Sequence, residues 1–134
     1  MAKEKIRVLK IAPLRYPCEH YLAPSMKAFR EAVDADNLEF GGVEAKKLER
    51  NVYAIFNKDR FLAYLKGNRR IGSDIIAGNM YIVGVDDNKF PISLTEEQSL
   101  KYTLKFWDIE EFDEIDVMEA NLDTLFSRFL ADEE

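Results

Sequence analysis

Residues 67–85 read GNRRIGSDIIAGNMYIVGV, and the way this stretch divides decides the fold. Gly67 and Gly72 bracket Asn68-Arg69-Arg70-Ile71 and permit backbone angles that other residues avoid, so a shaped basic turn feeds Asp74 and an apolar run. From Ile75 to Val85 the β-branched content predicts the longest and most buried strand of the molecule, broken at Gly78.

Towards the N-terminus the reading is of a small sheet. In Ile6–Ile11, Ile6 and Val8 fall on one face and Arg7, Leu9 and Ile11 on the other, which suits a largely covered strand. Pro13 and Pro17 end it, and LRYPCEHYLA has no clean period, so an extended connection is expected up to Pro24. Ser25 or Ala23 then caps a helix over about residues 24–35, with Pro24 tolerated in the first turn and Met26, Phe29, Ala32 and Val33 forming the buried stripe. Leu38–Phe40 alternates, Gly41-Gly42 interrupts, and Val43–Ala45 resumes, a strand with a bulge or bend. Val52–Phe56 is the next strand. Asn57–Asp59 supplies a turn from which Arg60–Leu65 returns as a hairpin partner, with helix as the alternative for FLAYL.

Beyond the quoted stretch, Asp86–Lys89 makes a turn and Phe90–Ile92 a short edge strand, where Pro91 is acceptable. Ser93/Glu96 and Thr95/Gln98 both satisfy the capping-box pattern, in which a hydroxyl and the side chain three residues on satisfy exposed backbone donors reciprocally. The helix that starts here should turn Leu100, Leu104 and Trp107 inward. After Pro91 there is neither Gly nor Pro, so one helix through residue 131 competes with two. Caps at Asp108/Glu111 and Asp113/Asp116 favour a separate helix over about residues 113–131, with Ile115, Met118, Leu122, Leu125, Phe126 and Phe129 on its apolar side.

The 134 residues suit one domain with one core. Apolar runs of only a few residues, and a start that lacks the h-region and cleavage site of a secretory signal, predict a cytoplasmic protein without a membrane span. A single cysteine, Cys18, forms no internal disulfide. The expected architecture is α+β, a single mostly antiparallel sheet of about five strands packed with one helix in the N-terminal half and two C-terminal helices. Charge divides the chain 1–134 into two parts. Residues 1–107, the mildly basic α+β body, hold 18 Lys+Arg against 14 Asp+Glu, whereas residues 108–134, the acidic amphipathic C-terminal helix, hold 1 against 11.

The chemistry-bearing clusters are sparse. Cys18-Glu19-His20 brings one thiol and one imidazole together, short of the three or four ligands a metal site needs and without the third group that would orient a nucleophile pair. Asn68, Arg69 and Arg70 offer arginine forks to an anion, but no Walker-type or dinucleotide-type glycine pattern accompanies them. Their plainer role is to pair with Asp59, Asp74 or the acidic tail. Asp86 and Asp87 read as turn formers. In the tail, Glu110, Glu111, Asp113, Glu114, Asp116, Glu119 and Asp123 recur at spacings that bring carboxylates roughly 5 to 6 Å apart on a helix. Such a row loosely imitates a line of phosphates, although a charged helix face is more often simply solvated.

The combination NRRI, DIIAGNMYIVG and SLTEEQSLKYTLKF resembles the domain-of-unknown-function family 3846, over about residues 5–107. The family's pattern is met at Asn57, Asn68, Arg69, Asp74, Gly78, Ser93, Leu94, Thr95, Glu97 and Gln98. It departs where Asn57 is followed by Lys-Asp-Arg in place of Glu-Glu-Gly, and where the segment after the first helix reads Arg30-Glu-Ala-Val33-Asp. The resemblance implies a setting among phages and conjugative elements and no particular activity.

The resulting expectation is a small non-enzymatic binding protein of mobile-element origin, without cofactor or metal. It would inhibit a host defence nuclease through its acidic surface, with a homodimer through the C-terminal helix as a further option. A second reading is a nucleic-acid accessory domain using Arg15, Lys46, Lys47, Arg50, Arg69 and Arg70, whose affinity would fall steeply with salt. A third is an enzyme, which would need a pocket joining His20, Asn68, Arg69 and Asp74.

Overall fold

The computed structural model describes residues 4–35, 42–58, 66–72, 74–113, 115–117, 119 and 122. The fold is α+β. Five strands form the main antiparallel path: β2 (Cys18–Leu22), β1 (Ile6–Ile11), β7 (Met80–Val85), β4 (Val52–Asn57) and β3 (Val43–Glu49). The two-residue β8 (Pro91–Ile92) pairs with the end of β7, and β5 (Gly67–Ile71) with β6 (Asp74–Ala77) makes a separate two-stranded sheet. Two helices, α1 (Met26–Ala32) and α2 (Glu96–Lys105), are followed by helical residues at 115–117, 119 and 122.

The alternation in β1 sends its side chains into two separate cores. Ile6 and Val8 join Ile55, Tyr81 and Val83 beneath Phe29 of α1 and Val33, the residue that caps its end. Leu9 and Ile11 join Ala54, Phe56, Met80 and Ile82 beneath Ile71, Ile76, Tyr102 and Phe106. A sheet apolar on both faces needs a layer on each: α1 covers one, and α2 with the β5–β6 hairpin covers the other. Each large side chain so buried contributes roughly 1.5–3 kcal/mol.

Several expectations are corrected. Residues 18–22 are a strand rather than a connection, in register with β1 from Ile6↔Leu22 to Lys10↔Cys18. The run Ile75–Val85 is two strands in two different sheets. At Gly78, φ is +78°, a left-handed angle open to glycine, and the chain turns there out of the hairpin and into the main sheet. Met26 is exposed, so α1 buries Phe29, with Val33 at its C-cap, and not Met26. Thr95, rather than Ser93, is the α2 cap: its hydroxyl accepts from the Gln98 amide while Gln98 Oε1 accepts from the Thr95 amide. Ser93 instead accepts from the Arg7 amide and fastens this entry to β1.

The inward face of α2 is also different. Tyr102 and Phe106 are buried, whereas Leu100, Leu104 and Trp107 are exposed. Tyr102 donates to Glu49 Oε1 at 2.7 Å, which ties the helix to the edge strand β3. The helix ends at Phe106, and residues 107–113 are not helical. Asp113 and Asp116 then cap reciprocally, the Asp116 amide donating to Asp113 Oδ1 at 2.7 Å, so α2 and the next helical stretch are separate. The hairpin return Arg60–Leu65 and the alternation at Leu38–Phe40 lie outside the described residues. The edges of β4 are taken by β3 and β7.

Candidate functional site

The anion-binding candidates Asn68, Arg69 and Arg70, expected in a shaped turn, lie instead on strand β5, and there the pairing slips. Gly67 faces Ala77 and Arg69 faces Ile76, so Asn68 is the extra residue of a bulge. Strict alternation would put Asn68 and Arg69 on opposite faces. The bulge turns both inward, to 0% and 1% exposure.

Every polar group of the Asn68 amide is used. Its nitrogen donates to the carbonyls of Ile11 at 2.7 Å and Gly78 at 2.9 Å, and its oxygen accepts from Arg69 Nη1 at 3.0 Å. Arg69 Nε donates to the carbonyl of Phe106 at 3.0 Å, and Nη2 to that of Arg15 at 2.7 Å. One guanidinium therefore joins the connection after β1, the hairpin and the C-terminal end of α2. Burial lowers the Arg69 pKa, while Glu110 and Asp108 oppose the shift by favouring its charge. An arginine stays protonated throughout, and the α2 C-terminus is favourable for a cation. This pair is an architectural node whose donors go to backbone carbonyls and, between the two side chains, to the Asn68 oxygen.

Arg70, the next residue, faces outward and meets the chain's own acidic segment. Its amide donates to Glu110 Oε2 at 3.0 Å, its Nε lies 3.8 Å from Glu110 Oε1, and its guanidinium sits 5.2 Å from the centroid of the Phe112 ring. Gly67 completes the seat. A Cβ built there would lie 2.8 Å from Val117 Cγ2 and 3.0 Å from Phe112 Cβ, so only glycine lets the segment approach so closely. Glu110, Phe112 and Val117 are thus held to the hairpin by an ion pair, an aromatic ring and an apolar contact. Glu111, Asp113, Asp116 and Glu119 are exposed beyond this seat. Glu114 and Asp123 lie outside the described residues.

The other cations are engaged in varying degree. Lys46 Nζ is 3.3 Å from Asp74 Oδ2, and Arg50 lies 3.5 Å from Asp87 at the surface. Lys47 stands near Tyr53, whose pKa is lowered chiefly by the hydrogen bond from Lys89, with Lys47 adding to the field. His20 and Cys18 sit on the edge strand β2, on the face of Val8 and Tyr81. The His20 and Tyr81 ring centroids are 5.7 Å apart. Burial first, then Lys10 and Lys5, lowers the His20 pKa. The hairpin carrying Asn68, Arg69 and Asp74 covers the opposite face, so the four residues named for a catalytic pocket do not converge. Among the described residues no group of three or more His, Cys, Asp or Glu is placed to hold a metal ion, and no helix is long and apolar enough to cross a membrane.

The family model for a domain of unknown function, DUF3846, matches residues 6–107. The chain belongs to this family. Neither the curated proteins nor the solved structures give a match. Most of the residues that carry the family resemblance have architectural jobs here. Asn57 donates to the carbonyls of Val33 and Asp34 where α1 ends, Asn68 and Arg69 tie three segments, and Asp74 holds Lys46. Gly78 turns the chain between sheets, Ser93 fastens β1, Leu94 is buried, and Thr95 with Gln98 caps α2. The acidic seat at 110–117 lies just beyond the matched DUF3846 residues.

Sequence reasoning missed a stacked pair. Tyr16 and Trp107 have ring centroids 4.4 Å apart at 22°, and both are exposed. No periodicity marks a contact between residues so far apart in the chain.

Proposed function

We propose that the protein is a non-enzymatic binding protein that presents a fixed acidic ridge, Glu110 to Glu119, to a basic surface of another protein. The observation that supports this most is the seat on β5: Arg70, Gly67 and Phe112 hold the segment in place while Glu111, Asp113, Asp116 and Glu119 project outward. A pre-ordered row of carboxylates binds with less ordering cost than a free tail and accelerates encounter with a cationic groove. In the mobile-element setting that the family resemblance implies, a host defence nuclease is the favoured partner, because its groove is built for phosphates.

The use of polar donors argues in the same direction. Asn68 and Arg69, both buried, donate to carbonyls within the fold. Reversing Asp116, Glu119 and Asp123 to lysine should abolish capture of a basic partner at low salt while the main sheet keeps its stability. Unchanged binding to every tested host nuclease after this reversal would rule out the ridge mechanism.

A further inference from the structure

The outer side of α2 carries Leu100 and Leu104, one turn apart and 61% and 66% exposed. Trp107 continues the row at 46%, and Tyr16, at 55%, stacks on it. This stripe has a rigid foundation. Arg69 binds the carbonyl of Phe106, next to Trp107, and that of Arg15, next to Tyr16, so one buried guanidinium positions both rings. Large apolar residues with aromatic anchors, exposed in a row on fixed backbone, mark a protein-binding surface.

Charge indicates what that surface takes. Glu96 and Glu97 stand exposed at one end, and Asp108 follows Trp107 at the other, where the acidic segment begins. Lys101 is drawn aside to Glu49 at 3.3 Å, and by helical geometry Lys105 falls on the same flank, away from the stripe. A second copy docked antiparallel would set Glu96 and Glu97 against Asp108, and a parallel one would set them against themselves. Both arrangements oppose like charges, and an anionic surface would be repelled too.

We infer that the stripe Leu100–Leu104–Trp107–Tyr16 docks an amphipathic helix of a partner protein whose apolar face is bordered by lysine and arginine. Such a helix lays its 3-and-4-spaced anchors along the leucines and carries its cations to the acids at both ends. This inference rests on the ridge reading and supplies that partner's apolar anchor.

Trp107 is the single tryptophan of the chain, so its emission reports the site directly. The full chain is titrated with a synthetic amphipathic peptide carrying leucines at 3-and-4 spacing and flanking lysines, and with a control in which glutamates replace the lysines. The lysine peptide should give a saturable blue shift and the control none. Leu100→Glu and Leu104→Glu, both at exposed positions that leave the fold undisturbed, should each weaken binding roughly tenfold or more. The inference is overturned by an absent shift, by equal binding of the two peptides, or by undiminished binding in both variants. It is equally overturned by a dimer in sedimentation that Leu104→Glu dissociates, or by a red shift on Leu104→Glu in the free protein, which would show the chain covering its own stripe. Partner capture lost on ridge reversal but kept by both leucine variants sinks the stripe alone. The opposite pattern sinks the ridge reading.

Discussion

Arg69 shows how much one residue can depend on its backbone. A basic residue beside glycines invites an anion, yet its guanidinium donates to Phe106, Asn68 and Arg15, three points far apart in sequence. Lysine keeps the charge but cannot reach three carbonyls as a planar fork does. Arg69→Lys should therefore destabilise the protein by about 3 kcal/mol in urea unfolding, through buried carbonyls left without donors. Asn68→Ala strands the carbonyls of Ile11 and Gly78 and should cost about 2 kcal/mol. Arg70→Ala should cost little in global stability, because its pair with Glu110 is half exposed. If Arg69→Lys unfolds at the wild-type midpoint, the node has no structural weight. The flanking glycines suggested a turn, and the strand with its bulge at Asn68 could not be read instead, because a pairing irregularity has no sequence period of its own. Asn57 is similar: a turn residue by type, it serves in the fold to hold the end of α1.

At the scale of elements, what was legible had a local cause. The alternation of Ile6–Ile11 predicts a strand covered on both faces, and the Thr95/Gln98 box sets the start of α2 from four residues. Thr95→Ala should cost about 1 kcal/mol by chemical denaturation. What was not legible needed a choice between equal patterns. Tyr102–Phe106 and Leu100–Leu104–Trp107 both fit helical spacing, and only the position of the hairpin and β3 decides that the first pair turns inward. The division of Ile75–Val85 likewise follows from where Asn68 grips the carbonyl of Gly78. Gly67→Ala tests the seat of the acidic segment. Its added Cβ collides with Val117 and Phe112, so residues 107–119 should become more protease-sensitive while the main sheet keeps its stability. Unaltered cleavage in that region would show that the close approach does not hold the segment.

For the whole molecule, the charge division of the sequence becomes a self-contact. The acidic part begins on the basic body, through Glu110 and Arg70, rather than trailing from it. The two cores also predict the alkaline limit of the fold. Burial, helped by Asp34 and Cys18, pushes the Tyr81 pKa up to about 12, and burial together with the bond to Glu49 raises that of Tyr102. A phenol that holds its proton more tightly when folded contributes stability that is complete below the unfolded value near pH 10. This stability is lost as pH rises through the folded value, because the unfolded chain releases the proton first. Unfolding free energy should therefore fall between about pH 10 and pH 12, and Tyr81→Phe should flatten that fall. An identical slope in the variant would place the alkaline sensitivity elsewhere.

The central claim is that the acidic segment is a fixed ridge seated on β5. Amide hydrogen exchange in the free protein tests it most directly. The Arg70 amide, bonded to Glu110, and the Asp116 and Val117 amides, bonded to Asp113, should exchange well below free-peptide rates. Glu110→Ala should accelerate Arg70 selectively. Free-peptide rates throughout residues 107–119 in the wild-type protein would contradict the ridge.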